Sequence, residues 1–527
     1  MAKKKAAWTV LVYLAGDNNL STECLFALTE MKKAAPAPHI NVVAQFDPQD
    51  PFLPTQRYEI NRRSSQILFD DIVDEAHFDP RTREVQFRKE SKKAVALARK
   101  RREFRGRTQP GRNETRTLAA PIRGDDIMSN DTDSSSPITL YNFISWGIQE
   151  YPADHYMVVL SGHAGGTERD YLLRDESSRR SLTFNELKLV FDQLRGDLGG
   201  SRIEILGMDN CLMCMAEICY ELRESVDIIV GCESYSPASG WPYRRILERM
   251  RSDCNGPRSP HEKLGPTQVA KAIVDEYVNY YADYWLAGLS IAQSALDVTQ
   301  VDGLKVTVDT FADSLNKKLN GRARTAANRQ ARLDGFMEAL VLAHWEAQSY
   351  NGELYVDLYD FCDCLERRST DKEVRRQCQN VKKFIASKFV LASGFSGAKY
   401  QYSHGVSLYF PWDQVASSYF NLEFVSGSPG RGWAGFLDTY VAVTRRGPRW
   451  ITGDERLLGG TADSAEIRMT ADRMTADRMT ADRMTANSVS GNAIHSMRNP
   501  PIVFFPSADL RDSQQVWAAQ KRLFTPQ

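Results

Sequence analysis

Two apolar runs end on residues able to perform covalent or proton-transfer chemistry. "YMVVLSGHAGG", residues 156–166, delivers His163 into a glycine-rich turn, and "IEILGMDNCLM", residues 203–213, delivers Cys211 where a hydrophobic run changes into an amphipathic pattern. A thiol attacks as the thiolate, a helix N-terminus favours that form, and an imidazole can take the proton. Cys211 is therefore expected at the head of a helix over about 212–224. The N–H groups near Ala164 and Cys211 are candidates to hold a developing oxyanion, and Gly165 and Gly166 are expected to let backbone and substrate approach closely.

Asp209, two residues before the thiol, shares its side of a strand, so its carboxylate could lie beneath an entering substrate side chain and pair with a cation. The alternative is an N-cap on the following helix, a task Asn210 can perform alone. Taken singly, a cysteine is more often a small buried apolar residue and a histidine more often structural. Cys211 and Cys214 also spell C-x-x-C, which opens a dithiol redox or zinc alternative. Zinc lacks a matching second pair, since Cys362 and Cys364 are one residue apart, and redox chemistry leaves His163 unexplained.

Placing His163 and Cys211 together requires neighbouring strands. "WTVLVYLAG", "INVVAQFD", "YMVVLSGH", "IEILGMDN" and "VDIIVGCES" are β-branched apolar runs ending at Gly, Asp, Asn or Ser. They alternate with helical patterns at 139–150 and 183–195. This predicts a mostly parallel sheet covered on both faces, with ligands at its carboxyl edge. A single crossover helix at 183–195 makes the two reactive strands plausible neighbours.

That gives an α/β domain over residues 1–250 and, after "CNGPRSPHEKLGP", a second α/β (α+β) domain over 260–445 containing long helical patterns at 300–345 and 372–391. Within the first, residues 85–137 read as a flexible insertion, basic and then acidic and serine-rich. Its basic run fits a solvated face, and charge alone supports only non-specific nucleic-acid attraction. The tail, 446–527, carries four copies of a five-residue RMTAD-type unit at 468–487, whose period matches no helical stripe.

The 527 residues carry 67 basic and 67 acidic side chains, so net charge selects no partner. Nine cysteines in no ladder favour a reducing interior, hence a cytoplasmic location, with a secreted or periplasmic one left open. The basic start "MAKKK" before an apolar run has the outline of a signal peptide, but the run continues into "GDNNL", which favours a first buried strand. No stretch has the roughly 18 to 20 consecutive apolar residues that span a bilayer.

With these residues in view, the chain resembles the clostripain-like cysteine peptidases, related in fold to caspases, gingipains and legumains. The resemblance is carried by "TVLVYLAGDNNL", "SGHAGG", "MDNCLMCMAEICYEL" and "VGCESYSPASGWPY", then by "ALDVTQVDGL", "YVDLYDF" and "HGVSLYFPW". It implies a caspase-like fold, His163 and Cys211 as catalytic dyad, and Asp209 in the substrate-binding pocket for Arg or Lys at P1. It further implies that Glu233 to Trp241 lines the cleft and that the chain can cut itself between histidine and cysteine, where Arg174, Arg179 and Arg180 stand. Protein or peptide substrates are the partners implied.

No cofactor is required by these residues. Some members of the family depend on calcium, but no compact acidic loop here demands it. Ala164 stands where the family usually has glycine, so a positive φ there would be strained. Asp-Asn-Cys replaces the commoner Asp-Ala-Cys, and Cys214 stands where glycine is frequent. The competing expectation is a peptidase fold without turnover that serves as a binding or scaffold module, and Ala164 is its main support.

Overall fold

The computed structural model of the protein describes residues 5–34, 39–49, 55–60, 76–79, 84–87, 133–254, 264–284, 288–320, 326–412, 414–426 and 430–446. The RMTAD repeats and most of the basic insertion lie outside the described residues.

Eight strands form the central sheet. They are β1 (Ala6–Gly16), β2 (Ile40–Pro48), β3 (Gln56–Glu59), β4 (Ala153–Ser161), β5 (Ile203–Asp209), β6 (Val226–Gly231), β7 (Ile291–Asp297) and β8 (Val390–Ser396). Their spatial order is β8-β7-β6-β5-β4-β1-β2-β3. The five from β2 to β6 pair in parallel, while β3 on one edge and β7 and β8 on the other are antiparallel. β1 is the continuous apolar run expected of a strand covered on both faces, and all eleven of its residues are buried.

The chain passes from β1 to β2 on one side and resumes at β4 on the other, so the order reverses around β1. Such a switch leaves a crevice beyond the carboxyl ends of the flanking strands.

Helices cover both faces. On one lie α1 (Ser21–Ala34), α5 (Tyr243–Cys254) and α6 (Pro266–Ala282), packed on Trp8, Val10, Val12, Ile205 and Val230. On the other lie α2 (Pro137–Glu150), α3 (Phe184–Asp197) and α4 (Ala216–Glu221). α3 begins at a capping box, with Thr183 Oγ1 accepting from Glu186 N–H (3.2 Å) and Glu186 Oε2 accepting from Thr183 N–H (2.9 Å). It crosses between β4 and β5, as expected of the helix joining two adjacent parallel strands.

α7 (Val301–Leu319), α8 (Ala326–Glu346), α9 (Leu358–Arg368), α10 (Lys372–Phe384) and α11 (Gly432–Arg446) follow. The C-terminal part extends the same sheet through β7 and β8. It also adds three short antiparallel strands, Ser349–Tyr350, Tyr355–Asp357 and Ser407–Tyr409. The last of these reaches the loop after β5: Ser407 N–H donates to the Cys214 carbonyl at 2.9 Å. Glu217 on α4 accepts from Tyr409 N–H (2.8 Å) and from the Tyr419 hydroxyl (2.9 Å) while fully buried, and burial lifts its carboxyl to about 7.

Candidate active site

Ser161 at the end of β4 pairs in register with Asp209 at the end of β5. His163 and Cys211 each follow two residues later, at adjacent strand ends. Both line one cleft with Asp209 and Ser161, against Leu20, Glu23, Cys24 and Ala27 at the start of α1 and the segment Ser236–Gly240.

Four local expectations fail. β5 ends at Asp209 and α4 begins only at Ala216, with Met215 in the cap position, so Cys211 lies in a loop rather than at a helix head. The helix is also shorter than 212–224. Asn210 is not its cap; its Nδ2 donates to the Leu160 carbonyl (2.9 Å), stitching the end of β5 to β4. Gly165 and Gly166 do not clear space for a substrate. A Cβ on Gly165 would meet the Tyr171 ring at 2.2 Å, and one on Gly166, at φ +68°, would meet Tyr355 at 2.7 Å.

What positions Cys211 is a ladder of loop contacts. Leu212 N–H donates to Ser234 O (2.9 Å), and Met213 and Cys214 N–H both donate to Cys232 O, at 2.9 and 3.0 Å. Leu212 adopts φ +62° and is 1% exposed, a left-handed conformation that a branched residue keeps only when its surroundings over-determine it. Cys211 Sγ accepts from Ser236 N–H at 3.3 Å.

Burial pushes the Cys211 thiol up to about 11, the Ser236 N–H opposes this, and the Asp209 carboxylate adds to it. Burial and charge both favour the neutral thiol over the thiolate at Cys211. Cys214 is buried elsewhere, its Sγ 3.9 Å from Ser294 O, and both sulfurs of the C-x-x-C are free thiols.

His163 Nε2 lies 2.6 Å from Asn19 Oδ1. A carbonyl oxygen only accepts, so Nε2 carries the proton and the lone pair of the neutral ring is on Nδ1. Asn19 belongs to the tight turn leaving β1, which Asn18 fixes by donating to Ala15 O (2.9 Å) and Arg174 O (2.8 Å) while accepting from Leu20 N–H (2.9 Å). Sequence reasoning read "GDNNL" as a loop and missed Asn19. The available signal was two asparagines at the end of a strand bordering the switch point.

Asn19→Ala is expected to lower kcat roughly tenfold with KM nearly unchanged, through loss of ring orientation. Asn19→Asp should instead move the acid limb of the pH–rate profile upward, because a carboxylate favours the imidazolium. A purely structural Asn19 would leave that limb in place.

Ala164 carries no positive φ and is buried in a bridge to Leu172, so alanine fits without strain and the argument for an inactive fold loses its support. Among the described residues, neither Ala164 nor Cys211 has its N–H engaged in a hydrogen bond.

Asp209 is 5% exposed. The Tyr243 hydroxyl donates to its Oδ2 at 2.8 Å, and Gly240 passes so close that a Cβ there would meet the same oxygen at 2.8 Å. Burial lifts its carboxyl to about 6, against the Tyr243 hydroxyl, the Trp241 N–H and the Ser161 hydroxyl, which favour the carboxylate.

A compact acidic loop is absent from the sequence, but the fold assembles three buried carboxylates from distant positions. Asp17 after β1, Asp47 in β2 and Asp175 in the hairpin Leu172–Asp175/Arg180–Leu182 offer oxygens within 4.8 Å of one another. Thr55 Oγ1 donates to Asp47 (2.5 Å), and the Ser134 and Ser178 N–H groups donate to Asp175, each at 2.8 Å.

A thiol and an imidazole side by side at the carboxyl edge of a parallel sheet, facing a cleft with a buried carboxylate, form the arrangement of a cysteine-type hydrolase. Comparison with known proteins gives the family. The Clostripain family profile matches residues 12–439, and the chain belongs to that family. Clostripain of Hathewaya histolytica is 20% identical over 477 residues, 82% of this chain and 80% of that protein.

Among solved structures, a secreted C11 cysteine protease from Bacteroides thetaiotaomicron bound to an irreversible peptide inhibitor is 16% identical with a TM-score of 0.49, covering 82% of this chain and 99% of that one. An inactive zymogen C11 protease from Parabacteroides distasonis is 19% identical with a TM-score of 0.49, covering 81% and 99%. The protein is a cysteine-type endopeptidase with a caspase-like α/β fold, acting on peptide substrates. Among the described residues, no helix is long and apolar enough to cross a membrane.

Proposed function

We propose that the protein cleaves peptide bonds after Arg or Lys, with Cys211 as nucleophile, His163 as proton carrier and Asp209 as the P1-selecting carboxylate. The observation that carries this is the register Ser161–Asp209, which brings all three side chains to one cleft. His163 Nδ1 takes the proton as Sγ adds to the carbonyl carbon. The N–H groups of Ala164 and Cys211 face the oxyanion, and the imidazolium then protonates the departing amine. Water, deprotonated by the same ring, releases the acyl group from sulfur. The test is turnover of matched fluorogenic peptides with Arg, Lys, Asp or Ala at P1; equal rates across the four would refute basic selection.

Self-processing fits the hairpin between histidine and cysteine. Arg174 has its carbonyl tied to Asn18, whereas Arg179 is exposed in the turn at φ +56°. Mass spectrometry of purified protein is expected to find a cut after Arg179 or Arg180 in wild type and none in Cys211→Ala.

Calcium dependence, implied by the family, finds a fitting donor set in Asp17, Asp47 and Asp175: hard carboxylate oxygens, buried and convergent. Calcium there would offset two of the three carboxylate charges and tie the hairpin to β1 and β2. Millimolar calcium should raise the Tm of the Cys211→Ala protein by several degrees, and not that of a protein also carrying Asp175→Asn.

A further inference from the structure

Residues 232–236 brace the Cys211 loop, and Glu233 lies within them. The carbonyls on either side of it, those of Cys232 and Ser234, accept from the N–H groups of residues 212–214, and Ser236 N–H meets the Cys211 sulfur. Glu233, which the resemblance puts on the cleft wall, is buried and bonds the C-terminal part instead: its Oε2 accepts from Gly405 N–H at 2.8 Å. Gly405 belongs to the stretch that also reaches the Cys214 carbonyl through Ser407.

The Glu233 carboxyl, 1% exposed, is in hydrogen-bonding contact with that of Asp357, 0% exposed. Asp357 caps α9 and is well supplied with donors. Asp360 N–H reaches its Oδ1 (2.7 Å), His404 N–H reaches its Oδ2 (2.5 Å), and Nδ1 of half-buried His404 lies 3.3 Å from Oδ1. By contrast, Glu233 Oε1 receives no N–H or O–H among the described residues. Two ionised carboxyls in contact away from water repel, and a buried acceptor without a donor is costly.

The surrounding groups agree. Burial and the Asp357 charge lift the Glu233 carboxyl well above the carboxylate range, against the Gly405 N–H and the Tyr350 hydroxyl, which also bonds Ser403 Oγ at 2.6 Å. Burial works against charge on His404, but Asp357, and further off Asp360, outweigh it and raise its pKa. Cys214, near Glu233 in the loop after β5, is a thiol that burial keeps neutral.

We propose that Glu233 and Asp357 share one proton, and that this bond makes Glu233 a positioning residue for Cys211 by fastening residues 232–236 to the C-terminal part. The proton sits on Glu233 Oε1, which turns an acceptor without a donor into the donor to Asp357, while Asp357 keeps the charge that faces His404. The positioning half rests on the proposed role of Cys211 as nucleophile.

Glutamine imitates the protonated acid, since Nε2 can donate to Asp357 and Oε1 accept from Gly405 with nothing to titrate. Glu233→Ala is expected to lower kcat for casein hydrolysis about tenfold with KM nearly unchanged, and to slow alkylation of Cys211. Glu233→Gln should rescue both to within about threefold of wild type. The proton has its own readout in the Cys211→Ala protein, with and without Glu233→Gln. A carboxyl whose folded pKa lies above its ordinary 4.5 gives stability that is fully present below 4.5 and is lost as pH rises toward the folded value. The Tm advantage of glutamine should therefore be smallest near pH 4.5 and grow by several degrees toward about pH 8.

A Tm difference that stays constant over that range overturns the shared proton. Glutamine failing as badly as alanine, or alanine lowering Tm while kcat and the alkylation rate hold, overturns the positioning role. Turnover surviving Cys211→Ala would reject the nucleophile and the positioning role with it, while the shared proton stands or falls on the thermal result alone.

Discussion

Cys211→Ala is expected to reduce kcat by on the order of 10⁵ or more while leaving peptide binding intact, because it removes the sulfur proposed to form the covalent intermediate. The control lies in the other thiols. Every other cysteine whose burial is described is buried, so in a Cys254→Ser background a single alkylation by iodoacetamide should map to Cys211 and track loss of activity. The pH dependence is the sharper check. With the thiol held near 11 by burial and by the Asp209 charge, the alkylation rate of the free enzyme should still be rising above pH 9. In Asp209→Asn the same curve should move to lower pH, since one cause of the upward push is gone. A plateau already reached by pH 6 would mean a preformed thiolate–imidazolium pair and refute a resting neutral thiol.

Asp209→Asn should cost roughly 10²- to 10³-fold in kcat/KM for Arg and Lys substrates and much less for neutral P1 residues, because the buried charge is removed while shape and the Tyr243 hydrogen bond are kept. It should also stabilise the protein. The folded-state pKa of about 6 lies above the ordinary 3.8, so the folded protein holds this proton more tightly than the unfolded chain. Stability from this group is therefore fully present below pH 3.8, declines as pH rises through about 6, and is absent above it. Asparagine avoids that loss, a gain of at most ~3 kcal/mol at pH 7.5 that disappears near pH 4. Denaturation of the two proteins at both pH values measures it; a variant no more stable than wild type at pH 7.5 would show that Asp209 is not a strained charge.

The parallel strands were legible because each is an unbroken apolar run, and a single crossover helix was enough to make His163 and Cys211 neighbours. Asp209 was legible through strand alternation. The helix head at Cys211 was not, because residues 212–214 owe their burial to loop contacts with 232–234 and 407, and the helix itself begins only at Ala216. Asn19 and the carboxylate group Asp17, Asp47 and Asp175 escaped notice for a related reason. Their partners lie across strand ends that only the folded sheet brings together, and no local spacing encodes that. Gly165 and Gly166 misled in the same way, since their absent side chains make room for Tyr171 and for Tyr355, a residue from the far end of the chain.

The bond from Ser407 to the Cys214 carbonyl has a temporal meaning. The loop that carries Cys211 is fastened by a strand 193 residues further along the chain. During synthesis at about 5 to 20 residues per second, that strand follows Cys214 by roughly 10 to 40 s. Through this interval His163 and Cys211 have both been made, yet the loop bearing Cys211 lacks its clasp. The loop bearing Cys211 therefore gains its last fastening only after residue 407 has been made.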